Sequence, residues 1–341
     1  MSSTRYLILA EGFSADAHYG KTARGVLRYR RDDVVAILDS TRAPGDTEDG
    51  VPVVQTVEDA LSFDPTTALV GVAPQGGRFP PAWRGILESC IANGIDVENG
   101  LHVFLADDPE LSALAALHDV ELRDLRRAPH DLSTATGANL DVQATIVLTV
   151  GSDCAIGKMT VALELDLEAR RRGLASVFVP TGQTGIAIAG WGIAVDAVVA
   201  DFIAGAAERL VVEGAERGGK LLWVEGQGAI LHPLYSGVTL GLYHGSAPHL
   251  LVLCHVAGRG EIEGVAGGPH PIPPLRELVE LYERMALPAR PARVVAIALN
   301  TRSLDEDAAR AAIAAAEAET GLPADDPVRF GAGKLLAAFR V

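Results

Sequence analysis

A chain of 341 residues, 48% hydrophobic and 21% charged, has the composition of a soluble globular protein with room for about two domains. Lys and Arg number 29 against 44 Asp and Glu; the formal charge of −15 argues against a general nucleic-acid or anionic-membrane surface. Cys90, Cys154 and Cys254 are scattered without metal-ligand spacing and no apolar run is long enough to span a membrane, so a reducing cytoplasm is the expected home.

Residues 6–10, 34–39, 51–55 and 68–72 read as short strands, and 19–29, 57–63 and 80–93 as helices between them. This alternation predicts a small parallel, Rossmann-like sheet. Asp39 at a strand tip invites a ribose-binding reading. The loop after the first strand, EGFSADAHYGKTARG, lacks G-x-G-x-x-G, so a strand-capping acid is expected instead. This half is expected to act as a cover, a dimer surface or part of a substrate wall, in a homodimer or higher homo-oligomer. Residues 102–117 read as a short strand followed by a helix that starts near Asp108. A charged stretch, 120–132, and a small polar one, 133–139, set the expected boundary near residue 135: a Rossmann-like domain over 1–135 and a P-loop NTPase-like α/β domain over 136–341.

The second half opens on QATIVLTVGSDCAIGKMT, residues 143–160. A β-branched run ends at Gly151, a turn leads to Gly157-Lys158, and a helical pattern follows to Arg172. Strand, glycine-bounded loop with lysine, helix is the arrangement of a phosphate-binding loop. The match departs from G-x(4)-G-K-[ST] twice. Five residues separate Gly151 from Gly157, and Met159 stands where Ser or Thr would hold Mg²⁺. A thioether is a poor ligand for that hard ion, so the loop suits a ligand held by its phosphates and not cleaved there.

Further strands are expected at 176–180, 221–225, 250–255 and 294–298. Their C-terminal ends carry Thr181-Gly182-Gln183-Thr184-Gly185, Glu225-Gly226-Gln227-Gly228, His255 with Arg259 beyond it, and Asn300 with Arg302. Ligands bind at such ends in open α/β sheets. Residues 194–206, with Asp196 and Asp201, read as helical. Residues 305–320 read as a solvated outer helix, and the proline-rich 267–274 as a rigid loop or linker.

Three details occur together: Gly151, Asp153, Gly157 and Lys158 in the long loop, V-E-G-x-G at 224–228, and Asn300 at a late strand end. The combination resembles dethiobiotin synthetase and its relatives, in which the asparagine reads adenine and the glutamate lies beside the phosphates. Over nearly the whole chain, the strings GSDCAIGKMTVALEL, PTGQTGIAIAGWGIAVDAVVADFIAGAAE and VEGQGAILHPLYSGVTLGLYHGSAPHLLVLCH resemble the D-glutamate N-acetyltransferase family. That resemblance implies a Rossmann-like N-terminal and a P-loop C-terminal domain, acetyl-CoA as donor and D-glutamate as amino-acid acceptor in D-glutamate catabolism.

On this reading the donor lies on Gly151, Ser152, Asp153, Cys154, Gly157, Lys158, Met159 and Thr160, with adenine near Asn300. The acceptor lies among Thr181, Gln183, Thr184, Gln227 and Ser236, and Arg259 and Arg302 are the candidate partners of its carboxylates. Glu225 and His232 are the candidate bases, Asp153 the third, and Tyr235 the candidate proton donor to the leaving thiolate. No resident metal is expected. Cys154 as an acyl carrier is less favoured than direct transfer, because no histidine adjoins it in sequence. The alternative is a ligase or kinase using ATP with Mg, in which Asp153, Thr160 or Glu225 supplies the metal ligand.

Overall fold

The computed structural model describes residues 4–14, 20–72 and 81–339, grouped in two compact units. The first comprises residues up to 127 together with 186–194; the second comprises 128–185 and 195 onward. The proline-glycine stretch 73–77, residues 15–19 of the loop after the first strand and the ends of the expected helices at 19 and 80 lie outside the described residues.

In the first unit the strands are β1 (Tyr6–Leu9), β2 (Val34–Leu38), β3 (Thr47–Glu48), β4 (Val51–Val54), β5 (Thr67–Val70), β6 (Asp96–Asn99) and β7 (Leu122–Asp124). Helices α1 (Lys21–Tyr29), α2 (Val57–Ala60), α3 (Arg84–Ala92) and α4 (Pro109–His118) connect them. The sheet order is β3-β4-β2-β1-β5-β6-β7, parallel throughout except for the β3–β4 pair. Apolar side chains such as Leu7, Leu9, Ala68, Leu87 and Ile91 form its aliphatic core. The fold is the expected Rossmann-like sheet, with two corrections. The strand expected at residue 102 is a turn, and β6 and β7 lie on either side of it. Both escape a hydrophobic count because they bury polar groups that satisfy one another: Asn99 donates to Asp124 (2.8 Å), and Glu98 accepts from Tyr6 (3.0 Å) and Arg123 (2.7 Å).

Asp39 follows β2 and is buried. Its carboxylate accepts from Gly12 N (2.9 Å), Ser14 N (3.1 Å), Thr41 N (3.1 Å), Thr41 Oγ1 (2.6 Å) and the Ser14 hydroxyl. Burial raises its pKa, but these bonds outweigh that and hold it below the usual carboxylate range. Asp39 therefore anchors the β1 loop, as a strand cap does.

The second unit contains β8 (Thr145–Gly151), β9 (Ser176–Val179), β10 (Leu221–Val224), β11 (Leu250–Val256), β12 (Arg293–Asn300) and β13 (Ala324–Asp325). Its sheet order is β13-β12-β11-β8-β10-β9, all parallel. The helices after β8 are α5 (Lys158–Arg171), α6 (Gln183–Ala189), α7 (Ile203–Glu216), α8 (Ser236–Ser246), α9 (Leu275–Arg284), α10 (Glu306–Thr320) and α11 (Gly333–Ala337). β8, buried from Ile146 onward, is the central strand, so its C-terminal loop sits where chain connections diverge to either side.

Here too the sequence reading needs correction. The 181–185 loop gives way to α6 at Gln183. Residues 195–202 form two short 3-10 turns before α7 starts at Ile203, and Asp196 and Asp201 are exposed. Helices α8 and α9 were not anticipated. α10 is the expected outer helix, started by Asp305, whose side chain accepts from Ala308 N, and buries only Ala309, Ile313 and Ala316. The 267–274 stretch folds back on 260–262, with Ile262 N on His270 O (2.9 Å) and Ile272 N on Gly260 O (2.8 Å). Among the described residues no helix is long and apolar enough to cross a membrane.

Candidate active site

The loop between β8 and α5 takes its shape from Gly157, whose φ of +110° starts α5 from a backbone conformation open to glycine. Among the described residues no side chain caps α5, so the amides of its first turn face outward at the positive end of a 14-residue helix. Lys158, buried, lays its Nζ on Asp153 O (2.7 Å), which sets a full positive charge inside the loop. Met159 and Thr160, partly exposed, complete that turn.

Asp153 is almost wholly buried. Its Oδ1 accepts Cys154 N (2.7 Å); its Oδ2 accepts Arg259 Nη1 (2.9 Å) and Glu263 N (3.1 Å). The Arg259 guanidinium also pairs with Glu263 (3.0 Å). Arg259 thus secures the phosphate loop to the segment after β11. Ser152 shares a hydrogen bond with His255 Nδ1 (2.8 Å), and burial, then Arg259, keeps the His255 pKa below its ordinary value.

On the other side of β8, Gly226 N donates to Thr149 Oγ1 (2.9 Å), and the β10 tip lies so close that a Cβ on Gly226 would stand 1.7 Å from Thr149 O. The same hypothetical Cβ would be 3.0 Å from Lys158 Cδ. The Gly226 backbone is therefore packed against the loop lysine. Its Oε2 accepts Thr181 N (2.9 Å) and Gly182 N (3.1 Å), while its Oε1 takes a longer bond from Gln227 Nε2 (3.3 Å). Gln227 Nε2 also reaches Thr181 Oγ1 (3.2 Å). Thr184 is buried and Gln183 half-buried in the following turn.

His232 is buried, and its Nδ1 accepts Leu234 N (3.2 Å). A neutral ring must then carry its proton on Nε2, which lies 3.9 Å from Asp153 Oδ1. Tyr235, 48% exposed, packs against His232 with the rings tilted at 42° and 4.8 Å between centroids, and Ser236 opens α8 with its N–H on His232 O (3.0 Å).

A cavity of about 370 Å³ extends from Gly157 and Thr160 to Asn300, Arg302, Val328 and Arg329. A second, of about 520 Å³, lies between the β11 and β12 tips and the 272–275 segment, lined by His255, Arg259, Ile272, Leu275, Leu299 and Ala315.

Residues 133–336 match the family described as "Domain of unknown function (DUF1611_C) P-loop domain", and 39–128 match "Domain of unknown function (DUF1611_N) Rossmann-like domain". The chain belongs to the DUF1611 family. Curated relatives named D-glutamate N-acetyltransferase support this. One, from Tritonibacter scottomollicae, is 37% identical over 339 residues and 99% of each chain. Another, from a Pseudoalteromonas species, is 35% identical over 280 residues and 82% of each chain. The crystal structure of a DUF1611 family protein from Anabaena variabilis is 42% identical, with a TM-score of 0.89 over 99% of each chain.

In this DUF1611 member the structure brings two sets of sequence candidates together. Asp153, Arg259, His232 and Tyr235 adjoin the loop, and Glu225, Gln227 and Thr181 form a second cluster across β8. Arg302 stands apart from the acceptor candidates and joins Asn300 at the first cavity. Asp153, Cys154 and His232 also present possible metal-ligand atoms within 4.8 Å of one another. Two features oppose a cation there. His232 Nε2 bears the proton, and Arg259 already neutralises Asp153.

Sequence reasoning missed Tyr282. Its buried hydroxyl donates to Gly151 O (2.7 Å) and accepts Ile230 N (3.1 Å), which ties the start of the loop to the 230 segment; burial raises its pKa. Its signal was the apolar spacing Leu275, Leu278, Tyr282 of an amphipathic helix.

Proposed function

We propose that this chain moves an acetyl group from acetyl-CoA to the amine of D-glutamate. The family relationship supports N-acetyl transfer, since the curated relatives bear that name. The observation that carries the donor assignment is the cavity that joins the uncapped start of α5 to Asn300, beside a loop whose metal position is a methionine. Adenine occupies the Asn300 side, and the pyrophosphate rests on the α5 amides and Lys158. Three strand spacings separate the β12 and β10 tips, about 14 Å in all. A pantetheine arm crosses that span and delivers its thioester toward Glu225 and Tyr235.

Acetyl transfer forms a C–N bond and breaks the C–S bond. Glu225, through Oε1, takes the proton from the substrate ammonium so that the neutral amine can attack. His232, with its proton on Nε2, acts as a donor and not as the base. The Tyr235 hydroxyl gives a proton to the leaving thiolate and is reprotonated by the second proton that the nitrogen sheds as the amide forms. Asp153 carries three donors and serves to position the loop and His232. Thr181, Gln183, Thr184, Gln227 and Ser236 line the acceptor side.

The decisive experiment follows thiol release from acetyl-CoA in the presence of D-glutamate, with and without EDTA. Release that depends on D-glutamate and ignores EDTA is expected, and Lys158→Ala raises the acetyl-CoA KM. ADP formation that requires Mg²⁺, with no thiol released, overturns the reading in favour of a ligase or kinase.

A further inference from the structure

We propose that Arg302 reads the 3′-phosphate of the CoA donor, a group that adenosine di- and triphosphates lack. This inference rests on the donor assignment above. Arg302 lines the same cavity as Gly157, Thr160 and Asn300. It lies two residues past the β12 tip, and Asn300 Oδ1 accepts its backbone N–H (3.1 Å), a turn that fixes how residue 302 leaves the strand.

Its neighbours at the sheet's edge are already engaged. Arg259 is spent on Asp153 and Glu263. Arg329 donates from Nη1 to Leu304 O (2.8 Å) and Thr301 O (3.3 Å). Asp326, the acid in the cavity wall, accepts from Thr301 N (2.9 Å), Thr301 Oγ1 (2.6 Å), Val328 N (3.0 Å) and Arg329 N (3.1 Å). Among the described residues the Arg302 guanidinium has no hydrogen-bond or ion-pair partner, in a chain with 44 acidic residues available to pair with 29 basic ones.

The chemistry of the ligand fixes where a third phosphate falls. The 5′-pyrophosphate and the 3′-phosphate leave the same ribose as the base. With the base against Asn300 and the pyrophosphate on the α5 amides, the ribose lies across the cavity between them, and its 3′ substituent emerges at the rim. A forked guanidinium there can take two phosphate oxygens at once, which a lysine cannot.

Equilibrium binding of CoA and of 3′-dephospho-CoA to wild type, Arg302→Ala and Arg302→Lys tests this. Because the arginine is exposed, one charge-assisted contact is expected to give about a 10-fold preference for CoA in the wild type. Arg302→Ala binds both ligands alike, at the wild-type affinity for the dephospho compound, and Arg302→Lys recovers part of the preference. Equal binding of the two by wild type, or a preference that survives in Arg302→Ala, overturns the inference while leaving CoA as donor. Failure of both ligands to bind overturns the donor assignment and this inference together.

Discussion

Replacing Gly226 with alanine tests the contact on which the loop's geometry depends. The added methyl would meet Thr149 O at 1.7 Å, and real Cβ atoms essentially never come within 3.0 Å of another heavy atom. The clash is with backbone, so no rotamer relieves it, and the β8 and β10 tips must part by about 1.3 Å. That movement stretches the Gly226 N–Thr149 Oγ1 bond, and the methyl also presses on Lys158 Cδ. Overpacking of this severity costs about 3 kcal/mol, and the lost hydrogen bond about 1 more. For a unit of about 200 residues this lowers the melting temperature by about 8–16 °C. A displacement of this size at the lysine should also weaken CoA binding or turnover by about 100-fold. Gly237→Ala is the control: it lies in α8 with nothing within 4 Å of its hypothetical Cβ, and alanine there is neutral or stabilising by about 0.5–1 kcal/mol. Differential scanning calorimetry and CoA titration of both variants provide the readouts. A Gly226→Ala protein that melts within about 2 °C of wild type and binds CoA normally would refute the close-packed strand tips.

Tyr282→Phe deletes a hydroxyl that bonds Gly151 O and Ile230 N, so it should cost about 1–3 kcal/mol in urea unfolding and weaken CoA binding, while Tyr29→Phe, in α1 of the first unit, provides the comparison. Native alkylation followed by mass spectrometry should label Cys154 ahead of Cys90 and Cys254, whose buried thiols have pKa values pushed up to about 12; equal labelling of all three contradicts their burial. His249 and His255 have pKa values lowered first by burial, so the unfolded chain takes up protons near pH 6.5 that the folded chain does not. Stability contributed by these neutral rings is present above that pH and lost as pH falls below it. The urea midpoint should drop between pH 7.5 and 5.5, and by less in His255→Asn; an unchanged slope in that variant removes His255 as a contributor.

The parts of the fold legible in the sequence were those where one local signal dominated. β8, Gly151, Gly157-Lys158 and α5 follow one another without interruption, so apolar run, break, charge and helical period agree. β6 and β7 were hidden because they bury polar groups, Asn99 bonded to Asp124 and Glu98 to Tyr6 and Arg123, which a hydrophobic count scores as loop. Helix α8, SGVTLGLYHGS, holds three glycines and little intrinsic helix preference. It is a helix because tertiary packing buries Thr239, Leu242 and Tyr243 along it, a cause absent from the local sequence. Residues 195–202 show the converse: apolar composition suggested helix, but the chain turns twice with both aspartates in solvent.

At the site, residue type was readable and partnership was not. Asp153 meets Arg259 across 106 positions and Glu225 meets Thr181 across 44, distances over which spacing has no meaning. Those partners change what each group can do. A carboxylate such as Asp153, with an arginine and two backbone amides on it, is held in place and holds the loop's geometry. A histidine whose Nδ1 takes a backbone N–H has its one remaining proton committed to Nε2, so it donates. Arg302, named from sequence as a carboxylate partner for the amino acid, faces the cavity shared by the phosphate loop and Asn300. The sheet order sets the layout: β8 sits between β11 and β10, so the phosphate loop after β8 has one flank on β11, with β12 and Asn300 beyond, and the other on the strand that leads to Glu225. On the proposed reading the donor has two different ends, nucleotide at one and thioester at the other, and uses both flanks; in an ATP-dependent ligase or kinase the Glu225 flank would instead hold metal or acceptor, which the EDTA and ADP assays distinguish.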